Sequence, residues 1–290
     1  MLGLGTSLSN IYVPQGSSYT NAYSVEFDGS DDQIQIANTN IESVIRGSFT
    51  FTAWLKIPSN SNQGWFGLFN NNQNFVYIAL SGANFDFSFE SNNDNGQTRY
   101  TSGASIPTNE WFHFAATAEK TGTGSSDATQ LRMFINGAAL SSPNDLSELT
   151  GDNHGAFDAG STDFNIGKPH SAVKMVADTQ IHDFSIHNNV LSAAAIAALY
   201  NGGDGSIDQT LDSGSYSSST LAAYYKLDEG TGITANDSAK ASPVNGTLAN
   251  GASWSLSLIH ISEPTRLRRI SDAVFCLEKK RGGGGGGGGG

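Results

Sequence analysis

Cysteine is almost missing from this chain: Cys276 is the one instance in 290 residues. No intrachain disulfide can form, and thiolate metal cages built from several cysteines are excluded. Stability must therefore come from a hydrophobic core, and the chain is long enough to bury one without staples. Basic residues are scarce as well, with 15 Lys and Arg against 27 Asp and Glu and a formal net charge of -12. No basic stripe is available to displace counterions, which argues against nucleic acid and anionic membranes as partners. The acid excess suits salt water, or a hard cation held by carboxylates. Long apolar runs are absent, and the opening MLGLGTSLSN has neither a basic start nor a sustained hydrophobic region. Neither membrane insertion nor a signal peptide is visible in the sequence.

What is present, from Tyr23 onward, is a series of short alternating runs broken by clusters of Gly, Asn, Asp and Ser. That pattern predicts an all-β fold, an antiparallel two-sheet sandwich of many strands. YSVEF, the acidic turn DGSDD and QIQI read as a hairpin. SFTFTAWLKI puts Phe49, Phe51, Ala53 and Leu55 on one face. NFDFSFE does the same with Phe85, Phe87 and Phe89 and turns Asp86, Ser88 and Glu90 the other way, so that one face packs and the other meets solvent. WFHFAATAE and LRMFINGAAL follow, and Asn136-Gly137 in the latter marks a tight hairpin because both residues tolerate positive φ. One short helix, AAAIAALY, is capped by Ser192 and ended by Gly202. Residues 204–220 read as a polar linker, after which LAAYYKLDEG opens a further strand-like unit that runs to Trp254.

The stretch LSLIHISEPTRLRRISDAVFCLEKKR breaks with all of this, since basic residues cluster and no period of two or 3.6 orders its apolar positions. Leu256 to Arg266 resembles the forward translation of a DNA sequencing adapter. Ile270 to Leu277 resembles the flow-cell end of the same adapter, Lys279 and Lys280 a run of adenines, and Gly282 to Gly290 a run of G calls. Residues 256–290 are thus expected to be a disordered adapter artefact, set aside before fold reasoning. Six basic and three acidic residues go with them, which leaves the remainder more acidic still. The natural protein is expected to continue beyond Ser255.

SVEFDGSDDQIQI, SFTFTAWLKI, WFHFAATAEK with LRMFINGAAL, and IHDFSIHNNVLSAAAIAALYNGG form an ordered set from about Tyr23 to Gly203. Together they resemble the laminin-G-like, concanavalin A-like jelly-roll domains in their prokaryotic and phage form. The resemblance implies a jelly roll over 23–203, preceded by an N-terminal arm over 1–22. YYKLDEGTGITANDSAKASPVNGTLANGASWS is similar to the opening of another such domain, which implies an incomplete second unit over 221–255. MLGLGTSLSN, the Asn- and Ser-rich strands and YSSSTLAAYYKLDEG look like structural proteins of tailed marine phages. That likeness implies a virion or extracellular surface, with other virion subunits as further partners.

Two sites follow from the resemblance. In the family a calcium ion often lies where the first hairpin meets the last strands, which implies Asp28 and Asp183 as ligands with Asp31 and Asp32 beside them. Calcium is the one cofactor implied. His182 and Phe184 flank Asp183 where the family often has a second acid, and the competing reading is that Asp28-Gly29 simply makes the turn. Glycan binding is the usual use of the fold, through aromatic rings that stack on sugars and amides that bond them. Asn62, Gln63, Trp65, Phe66 and Asn72, with Arg99 and Tyr100 after a similar loop, could supply these groups. The competing reading places Trp65 and Phe66 in the core, as Trp54 and Trp111 are.

Catalysis finds no foothold. The fold also hosts glucanases, but no Glu-x-Asp-x-x-Glu run, no His-x-x-x-His pair and no Gly-x-Ser-x-Gly elbow occurs. His113 reads as a satisfied sheet histidine. The expectation is a non-enzymatic carbohydrate-binding or adhesion module contacting cell-surface glycan. The alternatives are a purely architectural virion protein, or a polysaccharide hydrolase or lyase.

Overall fold

The alternating runs become strands of two eight-stranded antiparallel sheets in the computed structural model. The structure describes residues 18–19, 21–82, 84–91, 98–102, 105–121, 128–140, 157–203, 206–239, 242–257 and 289. The chain divides into Met1–His260 and Ile261–Gly290, and the sheets lie in the first unit. Residues 1–17 of the expected arm and 258–288 of the expected artefact fall outside the described residues.

The first sheet runs in the order β11 (Ala138–Ala139), β10 (Ala128–Ile135), β9 (Trp111–Thr121), β4 (Phe49–Lys56), β13 (Thr179–His187), β2 (Tyr23–Phe27) and β18 (Ser253–Leu256), with β15 (Leu221–Tyr225) also on β13. The second runs β16 (Thr234–Ala235), β17 (Gly246–Ala249), β3 (Gln33–Ile36), β12 (Phe164–Ile166), β5 (Gln63–Asn71), β6 (Asn74–Ser81), β7 (Asn84–Glu90) and β8 (Thr98–Ser102). A further pair joins β1 (Ser18–Tyr19) to β14 (Ser206–Ile207). Between the two sheets the inward residues interlock, as expected of a jelly-roll sandwich. Phe51 meets Phe66 and Phe164 of the opposite sheet at centroid distances of 5.8 and 5.6 Å, and Phe184 of its own sheet at 6.3 Å. Asn136 and Gly137 turn the β10–β11 hairpin with φ of 49° and 77°, as their tolerance of positive φ predicts.

Four local expectations change. YSVEF and QIQI do not pair with each other: β2 bonds β13 and β18 in one sheet, while β3 bonds β12 and β17 in the other. DGSDD is therefore a corner between sheets, a distinction that alternation cannot make because it fixes faces and not partners. The second face of β4 does not meet solvent either. Thr50, Thr52 and Trp54 are buried, as are Asp86 and Ser88 on β7. Over the first sheet lies the helix α2 (Ala193–Tyr200), whose Ile196 and Leu199 pack with Ala115, Phe134 and Tyr216. Before it comes a short helix, α1 (Ile41–Ile45), which the sequence did not suggest. Ser192 caps α2 by accepting from the Ala195 N–H at 3.1 Å, but the left-handed residue that ends it is Asn201, one before Gly202.

The largest change concerns 204–255, expected as a linker and a separate unit. Its strands complete the same sandwich: β15 extends β13, β17 extends β3, and β18 lies beside β2. Tyr225, Leu227, Ala235 and Leu248 enter the core shared by both sheets. Asp237 fastens the segment by accepting from the N–H groups of Tyr224, Ala239 and Val244, each at 2.9 Å. Gly230, at φ 68°, lies against Tyr23 so closely that a Cβ would come within 2.6 Å of its ring. Ser206 and Gln209 of this stretch are buried against the first sheet. Tyr216 donates to the Gln209 carbonyl at 2.7 Å, and Gln209 is itself buried.

A chain ending at Thr220 would expose the core side of β2, β3 and β13, so it is expected to lose its cooperative thermal transition. Leu248→Ala in the full chain is expected to cost about 2–5 kcal/mol in urea denaturation, the range for emptying a buried leucine. A truncated chain that melts cooperatively at the full-length temperature would show 221–257 to be a separate unit after all.

Candidate functional site

The corner between β2 and β3 is held by its own backbone. Asp32 accepts from the Asp28 N–H at 2.7 Å, and Asp28 accepts from the Ser30 N–H at 2.7 Å. Lys174 donates its Nζ to the Ser30 carbonyl at 2.6 Å, and Asn250 donates to the Asp31 carbonyl at 3.2 Å. Burial raises the pKa of the Asp32 carboxyl, as do the charges of Asp28 and Asp31, while the bond from the Asp28 N–H opposes them.

Asp183 does not join this corner. The Asp178 N–H bonds Phe27, the neighbour of Asp28, at 3.0 Å, and Asp183 lies about five residues further along the strand, roughly 16 Å away. It occupies a bulge in β13 at φ 51° and is almost wholly buried. Its carboxylate accepts from the Tyr224 hydroxyl at 2.5 Å, from the Ser206 hydroxyl, and pairs with His182 Nδ1 at 2.7 Å. Asp183 is thus a structural anchor, and the calcium ligand set of Asp28, Asp31, Asp32 and Asp183 is not assembled. Among the described residues no three acid or imidazole side chains gather as metal ligands.

The expected glycan residues are dispersed too. A bulge in β5 between Gly64 and Phe66 turns two successive side chains inward. Trp65 accordingly packs on Phe85 and Phe114 at 5.4 and 5.3 Å, and Phe66 on Phe184 at 5.0 Å. Gln63 is buried, donating to the Ser59 carbonyl and accepting from Thr179. Asn62 is exposed and accepts from the Gly82 N–H, while Asn72 sits exposed in the β5–β6 turn. Arg99 and Tyr100 lie on β8 opposite Ser88 and Phe87, and their side chains are outside the described residues.

A different group of residues converges on the outward face of the second sheet. Here a cleft of about 300 Å³ is lined by Gln33, Phe69, Thr162, Asn165, Lys168 and His170, among others. Alternation places them: Gln33 precedes the buried Ile34, Asn165 stands between the buried Phe164 and Ile166, and Phe69 follows the buried Leu68. Opposite Asn165 on β5 is Gly67, where a Cβ would come within 2.2 Å of the Val76 carbonyl oxygen, so no side chain can fill that place. His170 accepts at Nδ1 from the Ala172 N–H at 3.1 Å, which leaves Nε2–H as a donor in the neutral ring. Its ring meets Phe69 edge-on at 4.1 Å, and Phe69 stacks on Phe75 at 5.4 Å with 14° between planes.

Asn165 donates to the Asp163 carbonyl at 3.1 Å, but its Oδ1 is buried without a partner among the described residues. The cleft thus offers an aromatic surface and several polar groups. Among the described residues its lining holds no carboxylate. The signal for Phe69 was present in GLFNN, since an inward Leu68 sends its neighbour outward. Lys168 and His170 carried none, because only folding brings KPHS beside β5.

The model of a family described as the concanavalin A-like lectin/glucanases superfamily matches residues 28–197, more than half of the chain. The chain belongs to this superfamily. No curated protein matches the sequence of this superfamily member. Among solved structures it is similar to a proposed carbohydrate-binding protein from Bacteroides ovatus, with TM-score 0.54 and 17% identity, covering 82% of this chain and 60% of that one. A heptameric SAP-like pentraxin from Limulus polyphemus gives TM-score 0.49 and 12% identity, over 82% of this chain and 97% of the pentraxin. Domains LG4-5 of the mouse laminin alpha1 chain give 0.39 and 13%, over 58% and 41%. At these identities the likeness is one of fold.

Two buried histidines of this superfamily member make its stability depend on pH. His113 is not the satisfied residue expected, since its Nδ1 has no partner among the described residues. Burial lowers its pKa to about 3, with Asp183 opposing and His182 reinforcing the shift. Burial likewise lowers that of His187 to about 4, against a bond with Gln209. Both are neutral in the folded state, while the unfolded chain takes up protons below pH about 6.5. Stability is full above that pH and falls as pH drops toward 4, by about 1.4 kcal/mol per unit for each histidine. Urea midpoints measured between pH 7 and 4.5 should show this slope, and His187→Gln should roughly halve it.

Proposed function

We propose that this chain is a non-enzymatic carbohydrate-binding module whose saccharide site is the cleft between Phe69, Asn165 and His170. The observation that carries the reading is the cleft's composition. An aromatic surface can take the apolar face of a sugar ring, and the amide, hydroxyl and imidazole groups around it can bond hydroxyls. The proposed carbohydrate-binding role of the similar Bacteroides ovatus protein adds support. The absence of carboxylates from the lining favours binding over hydrolysis.

A virion or other extracellular surface, with neighbouring virion subunits, is the setting we propose on the likeness of MLGLGTSLSN and YSSSTLAAYYKLDEG to phage structural proteins. No described helix is long and apolar enough to cross a membrane.

Titration of the full chain against a broad glycan panel tests the reading. At least one saccharide is expected to bind, and Phe69→Ala should weaken it about ten-fold, as loss of a stacked ring does. No carboxylate at the cleft awaits a cation, so EDTA should leave that affinity unchanged. A flat panel with folded protein would overturn the proposal, and release of reducing sugar would replace it with a hydrolase or lyase.

A further inference from the structure

We infer that the saccharide taken by this cleft is anionic, a sugar bearing a carboxylate or sulfate seated between Lys168 and His170. The inference rests on the carbohydrate-binding reading and narrows it. Its starting point is charge. On a chain with net charge -12, the long-range field repels anions, so an anion can be held only by a specific local contact.

The cleft supplies one. Lys168 is half-buried and makes no hydrogen bond or ion pair among the described residues, whereas Arg46 is paired with Glu42 and Lys226 with Asp208. Lys174, nearby in the chain, is committed to the Ser30 carbonyl. Among the described residues no acid lines the cleft to neutralise Lys168 from within. A partly desolvated ammonium without a counter-charge is costly, and a ligand carboxylate or sulfate would relieve that cost.

The second contact is His170. With Nδ1 accepting from the Ala172 N–H, the free Nε2–H of the neutral ring is the group left to donate. An oxyanion bridging Lys168 Nζ and this N–H would leave the sugar's apolar face to Phe69.

Matched pairs of oligosaccharides that differ only in charge give the test. Oligogalacturonate is titrated beside its methyl ester, and carrageenan oligomers beside their desulfated form, against the full chain. We expect a charged member to bind at least ten-fold more tightly than its neutral twin, and the ratio to shrink between 50 and 500 mM salt. Lys168→Met should bring the ratio close to one, and Lys168→Arg should largely restore it. Equal binding of the twins, or a preference that survives Lys168→Met, overturns the anionic inference and leaves the saccharide reading standing. No binding of any member, with the protein folded by circular dichroism, overturns both.

Discussion

At Asp183, strand β13 stops pairing with β2 and starts pairing with β15. One edge of a single strand is thereby shared between the first strand of the sandwich and a strand almost two hundred residues later. The exchange needs an irregular residue, and Asp183 provides it with a left-handed backbone that costs a non-glycine residue energy. Burying its carboxylate is a second cost, met only if hydroxyl and imidazole donors surround it. Those donors come from Ser206, Tyr224 and His182, so the site exists only when the segments carrying them are docked. The arrangement of everything after α2 follows from that requirement. It also explains why Asp183, which the resemblance implied as a calcium ligand, is spent on the scaffold.

The legible part of the fold was its faces. Phe49, Phe51, Phe85, Phe87 and Phe89 all point into the core as alternation said. Partners were not legible, because a period of two is the same whether β2 turns back on itself or crosses to the opposite sheet. DGSDD shows this well, since a hairpin and a corner use the same Asp-Gly chemistry. The stretch 204–220 misled for another reason: its serines, threonines and glutamine look like linker residues, yet Gln209 bonds Thr52 of β4, Ser206 bonds Asp183 of β13, and Thr210 and Ser218 bond the neighbouring Asp208 and Asp212. At the site, Trp65 and Phe66 drew attention as adjacent aromatics. A bulge that no composition announces sent both inward, and the cleft formed around the next aromatic on the opposite face.

Electrostatics and packing meet at that cleft. The chain repels anions at a distance, and the core takes its largest aromatics, so what remains on the outward face is a small, acid-free area built from β3, β5, β12 and the loop after it. Gly67 keeps the area open, and the stack of Phe69 on Phe75 makes its floor rigid. Both features belong to the sheet, which is the stiffest platform the fold has for a binding surface.

The lateness of β18 has a consequence for how the protein is made. Its partner β2 leaves the ribosome roughly 230 residues earlier, which at ordinary synthesis rates is about 10–45 s. Until β17 and β18 follow, the edges of β3 and β2 that they finally pair stand open to other chains. The acidic corner at Asp28, Asp31 and Asp32 lies beside those edges and repels like copies at that stage.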